Sequence, residues 1–119
     1  MSVNKLASKI GLAIIGCGDI GRARAEFARI YPGVEWIGVC DVIRERARIL
    51  AEKIQADFVT SDAAELLSRS EVNAVIIATD ETAHYAPVLL AIERNLSMFI
   101  EKPLASNFTQ SIELSNKIA

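Results

Sequence analysis

The sequence predicts an α/β fold, a doubly wound parallel sheet in the strand order 3-2-1-4-5, formed by one domain over residues 1–119. Short apolar runs, suited to strands buried on both faces, alternate with segments of helical spacing, the pattern of strands joined by crossover helices. The composition, 51% hydrophobic and 24% charged over 119 residues, is that of one globular core. Residues 1–10 are expected to form a flexible N-terminal extension.

Three strands and two helices are predicted in the first half of the chain. Residues 12–15 form a fully apolar run that ends at glycine, and they predict the first strand; residues 34–40 and 57–60 predict the second and third. The segment after the first strand has one apolar face at helical spacing, made of Ile20, Ala23, Phe27 and Ile30. The segment after the second strand predicts a helix that covers the core, through Ala47, Leu50, Ala51 and Ile54.

Two strands and three helices are predicted in the second half. Asp62 and Glu65 have the spacing of a capping pair and predict a helix that continues through residues 66–67. Residues 74–78 predict the fourth strand and residues 97–100 the fifth. Between these strands a helix is indicated by the spacing of Tyr85, Val88, Leu89 and Ile92. Asn95 is expected to end this helix in a left-handed conformation. A last helix is expected to begin at Asn107.

Charge and composition exclude several partners. The formal net charge is −2 and the basic residues are dispersed, so we expect no nucleic-acid partner. No apolar run approaches the roughly 20 residues of a membrane span, and the first ten residues lack the pattern of a signal peptide, so we expect no membrane and a cytoplasmic location. Cys17 and Cys40 lack metal-site spacing and suit a reducing compartment. We expect both to pack as small apolar side chains. We expect no metal site.

A glycine-rich turn follows the first predicted strand. Its sequence, Gly16-Cys17-Gly18-Asp19-Ile20-Gly21, matches the pattern G-x-G-x-x-G between a strand and a helix, the context of a dinucleotide-binding turn. Gly16 permits the tight turn, Gly18 lets the backbone approach a pyrophosphate, and Gly21 lets helix and strand pack closely. Amides of the first helical turn would face the phosphates, while the Asp19 carboxylate would point away. We assign residues 16 and 18–21 to cofactor binding.

An acid ends the second predicted strand. Asp41 lies about 20 residues after Gly21, where a dinucleotide-binding fold places a carboxylate for the adenosine ribose. A carboxylate there accepts hydrogen bonds from ribose hydroxyls and repels a 2′-phosphate, which favours NAD over NADP. Arg44 and Arg46 soften this preference if they attract such a phosphate; the alternative is that both lie on the solvated surface of the helix.

These features alone leave other classes open, namely methyltransferases and regulatory nucleotide-sensing domains. Residues 78–84 and 101–103 favour an oxidoreductase, because both segments follow predicted strands at the edge where a nicotinamide would project. Lys102 at this edge could hold a substrate hydroxyl and assist proton transfer as a hydride leaves. Without that context, a Glu-Lys pair on a loop is usually only solvated.

From Gly11 to its end the chain resembles the Gfo/Idh/MocA oxidoreductases, the family of glucose–fructose oxidoreductase and inositol dehydrogenase. Four features carry the resemblance: the glycine turn, Cys40-Asp41, Ala78-Thr79 with His84, and Ile-Glu-Lys-Pro-Leu-Ala at residues 100–105, the most specific of them. The resemblance implies a Rossmann domain whose three glycines shape the pyrophosphate loop. It also implies that Asp41 contacts the adenosine ribose.

The resemblance implies roles for four positions near the nicotinamide. Ala78 and Thr79 would line the cofactor, Glu101 would lie by the nicotinamide ribose, and Lys102 would be catalytic or orient the substrate. His84 matches a histidine common in the family; the alternative is a structural hydrogen bond in the first helical turn. The chain departs from the family at residues 80–81, which are Asp-Glu where Pro-Asn is common, and this puts the neutral nicotinamide contact in doubt.

The resemblance further implies a second, substrate-holding domain that these 119 residues lack. We therefore expect NAD binding with little or no turnover from this chain, and a complete dehydrogenase that acts on a hydroxyl-bearing carbon of a sugar or polyol. The alternative is a non-catalytic nucleotide sensor, or a subunit that needs a partner chain. The exposed edge of the fifth strand is expected to pair with another chain, giving a homo-oligomer.

Overall fold

Five parallel strands form one sheet in the order β3-β2-β1-β4-β5, as the sequence predicts. The computed structural model describes residues 9–79 and 85–100, and the predicted helix at Asn107 lies outside them. The elements in chain order are β1 (Ile10–Ile15), α1 (Asp19–Arg29), β2 (Val34–Cys40), α2 (Arg44–Ile54), β3 (Phe58–Thr60), α3 (Ala63–Leu67), β4 (Ala74–Ile77), α4 (Tyr85–Glu93) and β5 (Ser97–Ile100). β1 thus begins inside the expected N-terminal extension.

Two apolar layers cover the two faces of the sheet. Successive side chains of a strand point to opposite faces, so β1 and β2 contribute to both layers. The layer under α1 and α2 contains Leu12, Ile14, Ala25, Ile37, Val39, Ala47, Leu50 and Ile54. The layer under α3 and α4 contains Ala13, Ile15, Leu66, Leu67, Val75, Ile77, Val88 and Ala91. None of the described helices has the length and apolar character needed to cross a membrane.

Helix α1 packs on the sheet through its small residues, not through the apolar face that the sequence indicates. Gly21 and Ala25 are its buried residues. The side chains of Ile20, Phe27 and Ile30 are 54%, 74% and 78% exposed. A methyl group added at Gly21 would lie 1.7 Å from the carbonyl oxygen of Gly16, so the helix axis lies too close to β1 for large side chains. The apolar face therefore points away from the sheet.

The start of α3 and the end of α4 lie where the sequence predicts them. Asp62 caps α3, accepting a hydrogen bond from the amide of Ala64 at 3.0 Å. Glu65 does not complete the pair by accepting the Asp62 amide: the Thr60 hydroxyl donates to Glu65, and the Asp62 amide donates to the Thr60 oxygen at 3.1 Å. Asn95 is left-handed, with φ 58°, as predicted.

Candidate functional site

A cleft of about 500 Å³ opens at the carboxyl ends of β1, β2 and β4. Loops leave a parallel sheet at this edge, and the strand order reverses between β1 and β4, which is where ligands of open α/β sheets bind. Its lining combines five predicted positions, Gly16, Gly18, Asp41, Ala78 and Thr79, with Ile15, Cys40, Val42, Ile43, Arg46, Ser61, Ala63, Ala86 and Pro87.

Two glycines of the turn serve different geometric needs. Gly16 has φ +101°, and a methyl group there would lie 2.7 Å from the carbonyl carbon of Ala78, so the chain turns against β4 with no room for a side chain. A methyl group at Gly18 would meet nothing within 4 Å. Gly18 thus leaves open the space over the start of α1.

The start of α1 faces that open space. Gly18 is its N-cap residue and contributes no side-chain cap, while its carbonyl accepts the first helical bond, from the amide of Arg22 at 2.8 Å. The first amides of a helix have no partner within the helix, and the helix dipole makes this end positive. The arrangement suits a phosphate group, which supplies both acceptor oxygens and negative charge.

Asp41 places a buried carboxylate in the cleft, next to the glycine turn. The residue is 7% exposed, and its two carboxylate oxygens accept hydrogen bonds from the amides of Cys17 and Ile43, each at 2.8 Å. Backbone N–H groups bonded to the charged form offset the cost of burying it. Each carboxylate oxygen keeps a second lone pair for a ligand hydroxyl.

The two cysteine thiols lie beside this carboxylate and stay protonated. Burial, followed by the negative charge of Asp41, raises the pKa of Cys17 and of Cys40 to about 12. The Cys17 thiol donates to the carbonyl oxygen of Cys40 at 3.3 Å, and both cysteines are free. They are apolar fillers, as predicted. Within residues 9–79 and 85–100, no group of three His, Cys, Asp or Glu side chains is arranged to hold a metal.

Three arginines of α2 differ in their engagement. Arg48 pairs with Glu45 and Glu52 through contacts of 2.5 Å, and Arg44 donates to the Ser61 hydroxyl at 3.3 Å. Arg46 lines the cleft, and no described side chain forms a hydrogen bond or ion pair with its guanidinium. Within the described part of the chain, Arg46 is therefore the α2 arginine that lines the cleft without a side-chain partner.

Three further predicted positions, Asp19, Ile20 and Gly21, do not line the cleft. The side chain of Asp19 is 95% exposed and pairs with Arg22 at 2.8 Å, and Ile20 is also exposed, so neither side chain lines the cleft. Gly21 packs α1 against Gly16. His84, Glu101 and Lys102 lie outside the described residues.

Sequence reasoning missed several lining residues. Ser61 directly follows β3, so the same strand-end rule that singled out Asp41 indicates it. Ala63 at the start of α3 and the Ala86-Pro87 pair in α4 line the cleft through tertiary packing, and no local pattern marks them.

Comparisons with known proteins agree with this architecture. The model of the oxidoreductase family Gfo/Idh/MocA, described as an NAD-binding Rossmann fold, matches residues 10–119. The chain is 33% identical over 105 residues to 2,7-anhydro-N-acetylneuraminate hydratase of Mediterraneibacter gnavus, covering 88% of this chain and 27% of that protein. It is 32% identical over 111 residues to inositol 2-dehydrogenase of Pseudarthrobacter chlorophenolicus, covering 92% of this chain and 33% of that protein.

A solved structure has the same fold as this chain. Myo-inositol dehydrogenase from Lactobacillus casei, in complex with NAD(H) and myo-inositol, superposes with a TM-score of 0.82 at 28% identity, covering 91% of this chain and 32% of that one. The chain thus spans about a third of the length of these relatives.

Proposed function

The chain belongs to the Gfo/Idh/MocA oxidoreductase family as its NAD-binding Rossmann domain, and from this premise we propose that it binds NAD in the cleft at the carboxyl edge of the sheet. One observation carries the proposal: the open backbone at Gly18 and the buried carboxylate of Asp41 line the same cleft. Pyrophosphate and adenosine ribose are adjacent parts of one dinucleotide, so one ligand satisfies both features.

The phosphates would be held by the backbone at the start of α1. Residues 18–21 supply the amides and the positive end of the helix dipole. Asp19 and Ile20 contribute through their backbone in this proposal, since their side chains are exposed. Asp41 would accept the hydroxyls of the adenosine ribose, and Ala78 and Thr79 would line the path toward the nicotinamide.

The cofactor preference in this proposal is NAD over NADP. A 2′-phosphate would approach the buried charge of Asp41, whose two hydrogen bonds to backbone amides stabilise the ionised form. Arg46 offers a compensating positive charge at the same cleft. We therefore expect NADP to bind more weakly than NAD and not to be excluded.

The complete enzyme, in this proposal, passes a hydride between the nicotinamide and a hydroxyl-bearing carbon of a sugar or polyol. Lys102 would act on the substrate hydroxyl, with Glu101 by the nicotinamide ribose and His84 near the nicotinamide. The relatives include a protein named a hydratase and one named a dehydrogenase, and both share this domain. In this proposal the domain supplies the cofactor site that the relatives share, and substrate choice comes from outside it.

Calorimetric titration of the 119-residue chain with NADH tests the proposal. We expect saturable binding that NAD displaces and that S-adenosylmethionine, the ligand of a methyltransferase, does not. Lys102→Ala is the control variant. It removes the lysine that is proposed to act on the substrate hydroxyl, so it should bind NADH as the parent does. Absence of saturation at about 1 mM NADH would contradict the proposal. A dissociation constant of about 1 mM corresponds to a binding free energy of roughly −4 kcal/mol.

We also propose self-association and a cytoplasmic location, with no nucleic-acid or membrane partner. β5 is an outer strand of the described sheet and carries Phe99, which is 49% exposed and has the Arg24 guanidinium 5.2 Å from its ring centroid, so strand edge and ring together offer a contact surface to a second copy. The two free cysteines support a reducing compartment. Light scattering over a range of concentrations should show a dimer or larger species; a strict monomer throughout would contradict self-association.

A further inference from the structure

The carboxylate of Asp41 contacts the glycine loop directly. Its Oδ2 accepts the amide of Cys17, the residue between the first two glycines, in a buried hydrogen bond of 2.8 Å. Next to it, the amide of Gly16 donates to the carbonyl of Cys40 at 2.8 Å. Two successive loop amides are therefore fixed to two successive residues at the end of β2.

The Asp41 side chain also stabilises the segment that follows it. Its Oδ1 accepts the amide of Ile43, the N-cap residue of α2, at 2.8 Å. One buried carboxylate thus joins the turn before α1 to the turn before α2. Hydrogen bonds to an ionised acceptor are about twice as strong as neutral ones, so this contact resists displacement of either turn.

We propose that Asp41 is a positioning residue for the pyrophosphate site, in addition to its contact with the adenosine ribose; this inference rests on the proposed NAD site. By holding the Cys17 amide, Asp41 sets the direction in which the backbone enters Gly18. It therefore sets the orientation of the first N–H groups of α1. The Cys17 amide itself is used by Asp41, which leaves the amides from Gly18 onward for phosphate. Ribose and pyrophosphate recognition are then coupled through one side chain.

Asp57 provides a matched control. Its Oδ2 accepts the amide of Ile37 at 2.9 Å, so it also links a carboxylate to the backbone of β2, but Asp57 does not line the cleft. Replacing either aspartate with asparagine keeps the side-chain shape and removes one negative charge. An asparagine at position 41 can accept one of the two amides, and its NH2 group then faces the other N–H.

The test uses NAD and an NAD analogue whose adenosine ribose lacks both hydroxyl groups. Calorimetry gives the affinity of the parent chain, Asp41→Asn and Asp57→Asn for each ligand. A role in loop position predicts that Asp41→Asn binds the analogue about tenfold more weakly than the parent does, while Asp57→Asn binds it as the parent does. Loss of a negative charge alone would strengthen binding of an anionic ligand, so the expected change has the opposite sign. Equal or stronger binding of the analogue by Asp41→Asn would overturn the proposal.

A second measurement keeps the proposal testable if Asp41→Asn does not fold. Amide hydrogen exchange in the unsubstituted chain should show Cys17 protected well beyond an exposed loop amide, because its N–H is buried on Asp41. Exchange at the rate of a free loop amide would overturn the inference. If the chain does not bind NAD, the proposed function fails, and the protection of Cys17 still reports separately on the contact with Asp41.

Discussion

Both ends of the sheet combine a glycine with a side chain that accepts a backbone amide, but one end is closed and the other is open. At the amino end, a methyl group added at Gly11 would lie 1.7 Å from the carbonyl oxygen of Glu71, and the Asn73 side chain accepts the Gly11 amide at 3.1 Å. At the carboxyl end, Gly18 faces space empty to 4 Å, and Asp41 accepts the Cys17 amide at 2.8 Å. Each end thus combines a glycine with a side chain that accepts a backbone amide.

The difference lies in what the glycine admits. At the amino end the missing side chain admits the protein's own backbone, and that end is closed by packing. At the carboxyl end the missing side chain leaves the cleft open. A glycine therefore indicates a ligand only where its free space faces the edge at which the strand order reverses.

The largest effect on binding is expected from Gly18→Val. The added side chain fills the space over the start of α1 and blocks the approach of a pyrophosphate, so NAD affinity should fall by about 100-fold, or roughly 2.7 kcal/mol. The free energy of unfolding should fall by only about 1 kcal/mol, the cost of replacing glycine at the N-cap of α1, because nothing lies within 4 Å of the added Cβ. Calorimetry and urea unfolding measure the two effects, and unchanged NAD affinity would contradict the role of the open space.

Gly11→Ala should have the reverse signature. Its Cβ meets the backbone of Glu71, so the chain must shift to accommodate it, and the free energy of unfolding should fall by about 2 kcal/mol. NAD affinity of the folded variant should equal that of the parent. Weaker NAD binding with unchanged stability would reverse the assignment of the two sheet ends.

The buried thiols of the carboxyl end predict a loss of stability at high pH. Their pKa of about 12 in the folded chain exceeds the ordinary value of 9.0, so above pH 9 the unfolded chain releases protons that the folded chain retains. The protonated thiols therefore make their full contribution to the free energy of unfolding below pH 9. Between pH 9 and 12 the free energy of unfolding falls by up to about 1.4 kcal/mol per pH unit for each thiol. Urea unfolding at pH 8 and 10 measures the loss. In the double variant Cys17→Ala, Cys40→Ala, the free energy of unfolding should fall less steeply with pH. An equally steep fall would contradict the raised pKa of the two thiols.

The smallest expected effect concerns Arg46. Removing its guanidinium with Arg46→Ala should weaken NADP binding by about threefold and leave NAD binding nearly unchanged, because a partly exposed charge contributes less than about 1 kcal/mol. Arg48→Ala is the matched control, since the Arg48 guanidinium is already paired with two glutamates. Equal loss of NAD and NADP affinity in Arg46→Ala would show that the arginine does not read the 2′-phosphate.

The strands and their order could be predicted because each buried strand is a short apolar run between turn residues. Gly16, Gly18 and Asp41 could be predicted as one site because all three follow strands whose carboxyl ends meet at one edge. The face of α1 could not be predicted: spacing reveals an apolar face, but the close approach at Gly21 decides which face the sheet receives. The contact between Asp41 and Cys17 joins residues 24 positions apart, and no local pattern records it.

The carboxyl edge of the sheet, and not the amino edge, is the proposed binding site of the dinucleotide. Amide chemical shifts of the isotopically labelled chain, followed during a titration with NAD, test this directly. We expect saturable shifts at residues 16–21 and 41–43, with the shifts of Gly11, Ile37 and Asn73 unchanged. Shifts centred on the amino edge, or no saturable shift at residues 16–21, would contradict it.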